Sequence, residues 1–282
     1  MGSMDDRTVI VTGGNAGLGY QCAKNIALAD PGYRVVIACR SPARGEAAAE
    51  RLRAETGNPH VAAMTLDLAS LNSVRAFCAA FAQADTPKLY GIVCNAGISA
   101  GGVPGSPTTA DGFEMIFGVN HLGHFLLTNL LLPEMDAHGR IVFVTSDLHD
   151  PPGFFPTKVR YDRAAAIAQG SAGIAQYCMS KLCNLYCAYE LDRRLRADAE
   201  SSISVNAFNP GAMADTGFSR PTGNVVARAA VRAIGGVMGA LIGKRSTATE
   251  SGASPLSYDR ANAEELWNAS RTMTGLEPDT TG

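Results

Sequence analysis

The sequence predicts a single Rossmann-like α/β domain: a doubly wound parallel sheet held in a three-layer α/β/α sandwich. Three observations carry this reading. Short β-branched runs alternate with helical stretches along most of the chain, the pattern of β-α-β units. Central runs such as Val35-Val36-Ile37 and Ile141-Val142-Phe143-Val144 are almost continuously apolar, as strands buried on both faces require. A glycine cluster follows the first strand directly. With 282 residues, 46% of them hydrophobic, the chain can bury a sizeable core. No Pro/Ser-rich linker or fixed-period repeat divides it, so Met4–Gly282 reads as one domain, with the three residues before Met4 a tag remnant.

The elements follow in order. Strands are expected at Thr8–Thr12, Arg34–Cys39, His60–Leu66, Leu89–Cys94, Arg140–Thr145 and Ile203–Phe208, each a short run rich in β-branched or apolar residues. Helices are expected at Leu18–Ala29, Arg44–Thr56, Ser73–Ala84, Phe113–Met135 and Ala175–Arg196, where the run between strands is long enough for several turns. A final helix, Ala263–Met273, carries Leu266 and Trp267 as apolar anchors. No seventh strand is legible near the C-terminus. Two stretches break the alternation: Asp147–Gly173, with Pro151-Pro152 and Phe154-Phe155, and the apolar Val225–Gly243 within residues 217–245. Long irregular stretches beside a site are commonly functional, and both are expected to border a substrate mouth. The second reads as a plain packed helix, a lid, an oligomer contact or a peripheral membrane contact. Two arginines and four glycines count against a transmembrane span.

A net charge of −2 without any long like-charge block argues against a nucleic-acid partner. The seven cysteines are scattered with no C-x-x-C pair, which reads as reduced, mostly buried thiols rather than a disulfide or metal framework. Together with the lack of an apolar N-terminal run, this sets cytoplasmic location as the expectation. His121 and His124 are helical neighbours, but no paired cysteine or carboxylate motif accompanies them, and no metal is expected.

The glycine cluster reads Thr12-Gly13-Gly14-Asn15-Ala16-Gly17-Leu18-Gly19. Glycines let a strand turn sharply and its backbone approach a pyrophosphate, which the following helix N-terminus then attracts. The spacing T-G-x-x-x-G-x-G resembles the short-chain dehydrogenase/reductase family. Further marks follow in the family's order: Asp67-Leu68, Cys94-Asn95-Ala96-Gly97, Asn120, Ser146, Tyr177-x-x-x-Lys181 and Pro210-Gly211. Within the family, Ala38-Cys39-Arg40 and Ser180-Lys181-Leu182-Cys183-Asn184 look most like the retinol dehydrogenase and light-dependent protochlorophyllide reductase branch.

Tyr177 and Lys181 stand four apart on one helix face, where an ammonium favours the phenolate and is expected to lower the phenol's pKa. The resemblance implies Tyr177 as general acid/base and Ser146 as donor to the substrate oxygen. It also implies Lys181 on the nicotinamide ribose and Asn120 holding a proton-relay water. It further implies NADP(H) binding through Gly13, Asn15, Ala16, Gly17, Leu18, Gly19, Asp67, Leu68, Asn95, Ala96, Gly97, Tyr177, Lys181, Pro210, Gly211, Met213 and Thr216. The second strand ends in Arg40-Ser41 rather than an acid, which suits a 2′-phosphate. The implied reaction is hydride transfer between nicotinamide and a carbonyl or alcohol on a fairly apolar small molecule. Two alternatives stand beside it. One is a carbon–carbon double-bond reductase of the protochlorophyllide type, although Ala212 stands where that enzyme has a cysteine. The other is a non-catalytic nucleotide-binding regulator, although Ser146, Tyr177 and Lys181 are all retained. The two long helices, Phe113–Met135 and Ala175–Arg196, carry apolar residues all round, so a homodimer or homotetramer through them is expected.

Overall fold

The computed structural model describes residues 6–99, 108–151, 157–170, 173–198, 201–211 and 255–277. Among them, six parallel strands form one sheet in the order β3-β2-β1-β4-β5-β6. In chain order these are β1 (Arg7–Thr12), β2 (Tyr33–Cys39), β3 (Val61–Thr65), β4 (Leu89–Cys94), β5 (Met135–Val144) and β6 (Ser204–Phe208). The order reverses between β1 and β4. That switch point opens a crevice at the carboxyl ends of the strands, where ligands bind in open α/β sheets.

Alternation along the strands divides the core. Val9 and Val11 of β1, with Val35 and Ile37 of β2, pack under α1 (Gly17–Ala29) and α2 (Pro42–Thr56). Ile10, Val36 and Ala38 point the other way, into a cluster with residues of α3 (Leu71–Ala82) and of the long helices that follow β4 and β5. Helices on both faces explain why the central strands are apolar throughout.

The expected helix Phe113–Met135 is not uniform. It begins with α4 (Met115–Phe117), capped by Glu114, whose Oε2 accepts the Phe117 N–H at 2.8 Å. A π turn (Gly118–Leu122) follows, then α5 (Gly123–Leu131) and a 3₁₀ turn (Leu132–Glu134). Met135 already belongs to β5, paired with Leu89 ahead of a register shift that resumes at Arg140. The strand therefore starts earlier than expected, because a non-local pairing captures Met135. Although Met115–Glu134 is long and apolar enough to cross a membrane, it is mostly buried inside the fold as a core helix.

After β5 come α6 (Ala164–Ala168), α7 (Ile174–Ala197) and, near the C-terminus, α8 (Arg260–Thr274). The run 157–170 is fastened down: the Tyr161 hydroxyl and the Ala164 N–H both donate to Glu265 of α8, at 2.6 and 3.2 Å. Phe125, Leu126, Leu127 and Leu131 of α5 are fully buried within the single chain. Trp267 of α8 covers part of this face, meeting the Phe125 ring, while Leu130 of the same helix as Phe125 is only partly buried. Of the seven free cysteines, six are buried and Cys22 is half-buried. The expected segment Val225–Gly243 and the Phe154-Phe155 pair lie outside the described residues.

Candidate active site

The turn after β1 is built as its glycines predict. Gly13 and Gly17 adopt φ of 66° and 55°, a conformation costly for any residue with a Cβ. A Cβ on Gly19 would stand 2.5 Å from both the Asn95 amide nitrogen and the Gly13 carbonyl oxygen. Only glycine lets this backbone close on β4. The N-cap of α1, Ala16, offers no side-chain bond, and its first turn holds no acid. By contrast Ser41, Ser70 and Asp259 cap α2, α3 and α8. The N–H groups of α1 therefore face the crevice free of any capping side chain.

The crevice is one groove made of two connected cavities of about 760 and 520 Å³, which share Gly13, Asn15, Arg44, Ala96 and Gly97. The larger is lined by Ala16–Gly19, Asn95, Ser146, Tyr177, Lys181, Pro210 and Gly211; the smaller by Arg40, Ser41, Asp67 and Leu68. Seventeen positions implied by the resemblance thus meet along one surface: Gly13, Asn15, Ala16, Gly17, Leu18, Gly19, Arg40, Ser41, Asp67, Leu68, Asn95, Ala96, Gly97, Tyr177, Lys181, Pro210 and Gly211. Met213 and Thr216 lie outside the described residues.

Ser146 stands two residues beyond β5, and its hydroxyl oxygen accepts the Leu148 N–H at 3.3 Å. Tyr177 lies in the first turn of α7, and its hydroxyl bonds that of Ser146. The expected lowering of the phenol pKa is overturned in the ligand-free chain. Burial dominates and pushes Tyr177 up to about 12, against the opposing pull of Ser146. Lys181 stands with its ammonium nitrogen 5.6 Å from the Tyr177 ring centre and donates at 3.0 Å to the Val144 carbonyl. Burial brings Lys181 down to about 8.

Asn120 stands behind the groove, not in its wall. Its amide donates to the Ile98 carbonyl and to Ser180 Oγ, both at 3.0 Å, and its Oδ1 accepts the Ile98 N–H at 2.8 Å. The side chain is taken up by protein partners. It clamps the loop after β4 to α7. Gly97 permits this approach, since a Cβ there would meet Asn120 Oδ1 at 3.2 Å.

Sequence reasoning missed Arg44, Leu148 and Ile174, which also line the groove. Arg44 had a signal. A cation in the first turn of a Pro-started helix opposes the helix dipole, and such a placement points to an anion nearby.

The buried ammonium has a thermodynamic consequence. The folded pKa of Lys181 lies below its ordinary 10.5, so the charged form weakens the fold. That penalty is fully present below about pH 8 and fades as pH rises toward 10.5. Lys181→Met is expected to stabilise the ligand-free chain at neutral pH by up to about 3 kcal/mol. The gain should disappear in strongly alkaline buffer. Urea melts at the two pH values check it, and a variant no more stable than the parent at neutral pH would contradict it.

The crevice thus brings a glycine turn and a Ser–Tyr–Lys set together along one parallel α/β sheet. The chain belongs to the short-chain dehydrogenase family, whose profile matches residues 7–155. It is 42% identical to human retinol dehydrogenase 13 over 77% of the chain, and it spans 62% of that relative's length. It is 38% identical to human dehydrogenase/reductase SDR family member 13, covering 99% of the chain and 76% of the relative. Among solved structures, an uncharacterised protein from Mycobacterium paratuberculosis is 32% identical with a TM-score of 0.70, covering 98% of this chain and 96% of that one. The Pseudomonas aeruginosa RhlG/NADP active-site complex shares the fold, at 24% identity and a TM-score of 0.59, with 77% of each chain covered.

Proposed function

We propose that this chain is an NADP(H)-dependent oxidoreductase that interconverts a carbonyl and an alcohol on a fairly apolar small molecule. The observation that carries the reading is the bonded Ser146–Tyr177 hydroxyl pair at the groove mouth, with Lys181 beside it. When bound, the nicotinamide cofactor supplies or takes the hydride. The uncapped N-terminus of α1 and the glycine turn suit its pyrophosphate. Asp67 and Leu68 are assigned to the adenine, Lys181 to the ribose, and Pro210-Gly211 with Met213 and Thr216 to the nicotinamide side.

In reduction, Tyr177 gives its proton to the carbonyl oxygen as negative charge develops there, and Ser146 donates a hydrogen bond to the same oxygen. In oxidation the proton returns to Tyr177. Leu148 and Ile174 supply apolar wall beside this pair, and the names of the retinol dehydrogenases among the relatives support an apolar substrate. A panel of apolar carbonyls and alcohols, read by the absorbance of the reduced nicotinamide, tests the reading. Turnover with NADPH is the expected result. Tight NADPH binding with no turnover across the panel would instead favour a non-catalytic nucleotide-binding protein.

Cofactor choice is assigned to Arg40, Ser41 and Arg44. Arg40 is exposed at the end of β2, and Arg44 lies one helical turn further on in the same cavity. Charge-assisted pairs with a phosphate are worth about 1.5–3 kcal/mol, or roughly 10–100-fold in affinity. Arg40→Ala should therefore weaken NADPH binding by about that factor and leave NADH binding nearly unaltered. Equal loss for both cofactors in calorimetric titration would remove Arg40 as the selector.

A further inference from the structure

His124 is fully buried in the first turn of α5, and the reaction described above gives it no part. Its ring bridges two functional elements. Nε2 lies 2.9 Å from the Thr12 hydroxyl oxygen, and Nδ1 lies 3.1 Å from the backbone carbonyl of Asn120. A carbonyl only accepts, so Nδ1 carries the proton and Nε2 must accept. The Thr12 hydroxyl therefore donates to Nε2 in preference to the Val93 carbonyl at 3.2 Å. The same hydroxyl oxygen accepts the N–H groups of Asn95 and Ala96, each at 2.9 Å. Its donor and both acceptor positions are then filled.

Each end of this strut reaches a working part. Thr12 is the last residue of β1, immediately before the glycine turn, and its carbonyl oxygen also accepts the Asn95 amide at 2.8 Å. Asn120 sits in the π turn and bonds Ser180, whose hydroxyl donates to the Tyr177 carbonyl at 2.7 Å. A protonated ring could not accept from Thr12. Burial, opposed by the bond to Asn120 and reinforced by the Lys181 ammonium, brings the His124 pKa down to about 4 and keeps the ring neutral.

We infer that His124 is a positioning residue with two separable arms. The Nδ1 arm holds Asn120, and through Ser180 the start of α7, and so governs the rate of the chemical step. The Nε2 arm holds Thr12 and the glycine turn, and so governs cofactor affinity. The inference rests on the NADP(H)-dependent reading above and adds residue roles to it.

The arms are told apart by two substitutions. Asparagine places an amide donor where Nδ1 stands and loses the reach to Thr12. Glutamine places an acceptor where Nε2 stands and loses the bond to Asn120. His124→Asn is expected to raise the Kd for NADPH about tenfold while kcat falls less than threefold. His124→Gln should do the reverse, with kcat lowered at least tenfold and Kd within threefold of the parent. Thr12→Val, which breaks the Nε2 arm from the far side and also strips the acceptor from the Asn95 and Ala96 N–H groups, should raise the NADPH Kd at least as much as His124→Asn. Affinities come from NADPH fluorescence titration, kcat from saturating turnover on the best carbonyl of the panel, and thermal melts report folding. Parallel changes in Kd and kcat for both histidine variants would show a merely structural histidine and overturn the inference. Should the histidine variants fail to fold, an unchanged Kd in Thr12→Val would overturn it equally. Failure of the functional reading looks different: the parent itself would not bind NADPH, or Tyr177→Phe would retain full turnover.

Discussion

Tyr177→Phe is expected to lower kcat by about 10²–10⁴-fold while NADPH affinity stays within a few-fold. The ring is 6% exposed and packs in the cluster formed by α4, α6, α7 and α8, so phenylalanine keeps its contacts and removes only the hydroxyl. In the ligand-free chain burial holds the phenol up at about 12, so it carries its proton at neutral pH. A protonated phenol suits carbonyl reduction, in which it donates. Alcohol oxidation needs the ionised form. The oxidation rate should therefore climb as pH rises through the alkaline range, while the reduction rate falls. Lys181, brought down to about 8, adds an earlier inflection where its ammonium is lost. Steady-state rates in both directions check these points, and a Tyr177→Phe variant with undiminished kcat would remove Tyr177 from the chemistry.

The residues of the site were legible where one local rule decides them. The glycine turn needs positive φ at Gly13 and Gly17, and a sequence can display that requirement without its neighbours. Ser146 and the Tyr177–Lys181 pair could be placed because strand ends and helical spacing are local patterns. The two faces of the sheet follow from alternation in β1 and β2 alone. The π turn was not legible. Its residues read as one uninterrupted apolar helix, and what sets Asn120 apart is a clamp to Ile98 and Ser180 from elsewhere in the fold. The early start of β5 depends on Leu89, distant in sequence. The direction of the Tyr177 shift was misread for a related reason. The neighbouring lysine is visible in Tyr177-x-x-x-Lys181, but the burial that raises the phenol is a property of the assembled core. The cover over Phe125 was not legible either, since Trp267, which meets its ring, lies more than a hundred positions away.

That cover carries the second large effect. Trp267→Ala is expected to destabilise the chain by about 3–5 kcal/mol, the cost of emptying a large buried aromatic site. Trp267 is 3% exposed and meets the Phe125 ring edge-on at 4.9 Å between centres, while the Arg194 guanidinium stands over the indole at 4.9 Å. Around it, α8 is fastened at several points. Ser270 bonds His121 at 2.9 Å, Arg75 donates to the Thr274 carbonyl, and Glu265 holds Tyr161 and Ala164 of the run beside the groove. Removing the indole should loosen this contact first and bare Phe125 and its apolar neighbours on α5. The variant is then expected to show a lower urea midpoint and, by light scattering, more self-association than the parent. Trp267→Phe keeps an aromatic ring against Phe125 and should recover about half of the loss. A loss below about 1 kcal/mol in Trp267→Ala, with scattering unchanged, would mean that α8 is not what covers the long helices. If the full loss appears, Phe125 and its buried neighbours on α5 owe their cover to α8.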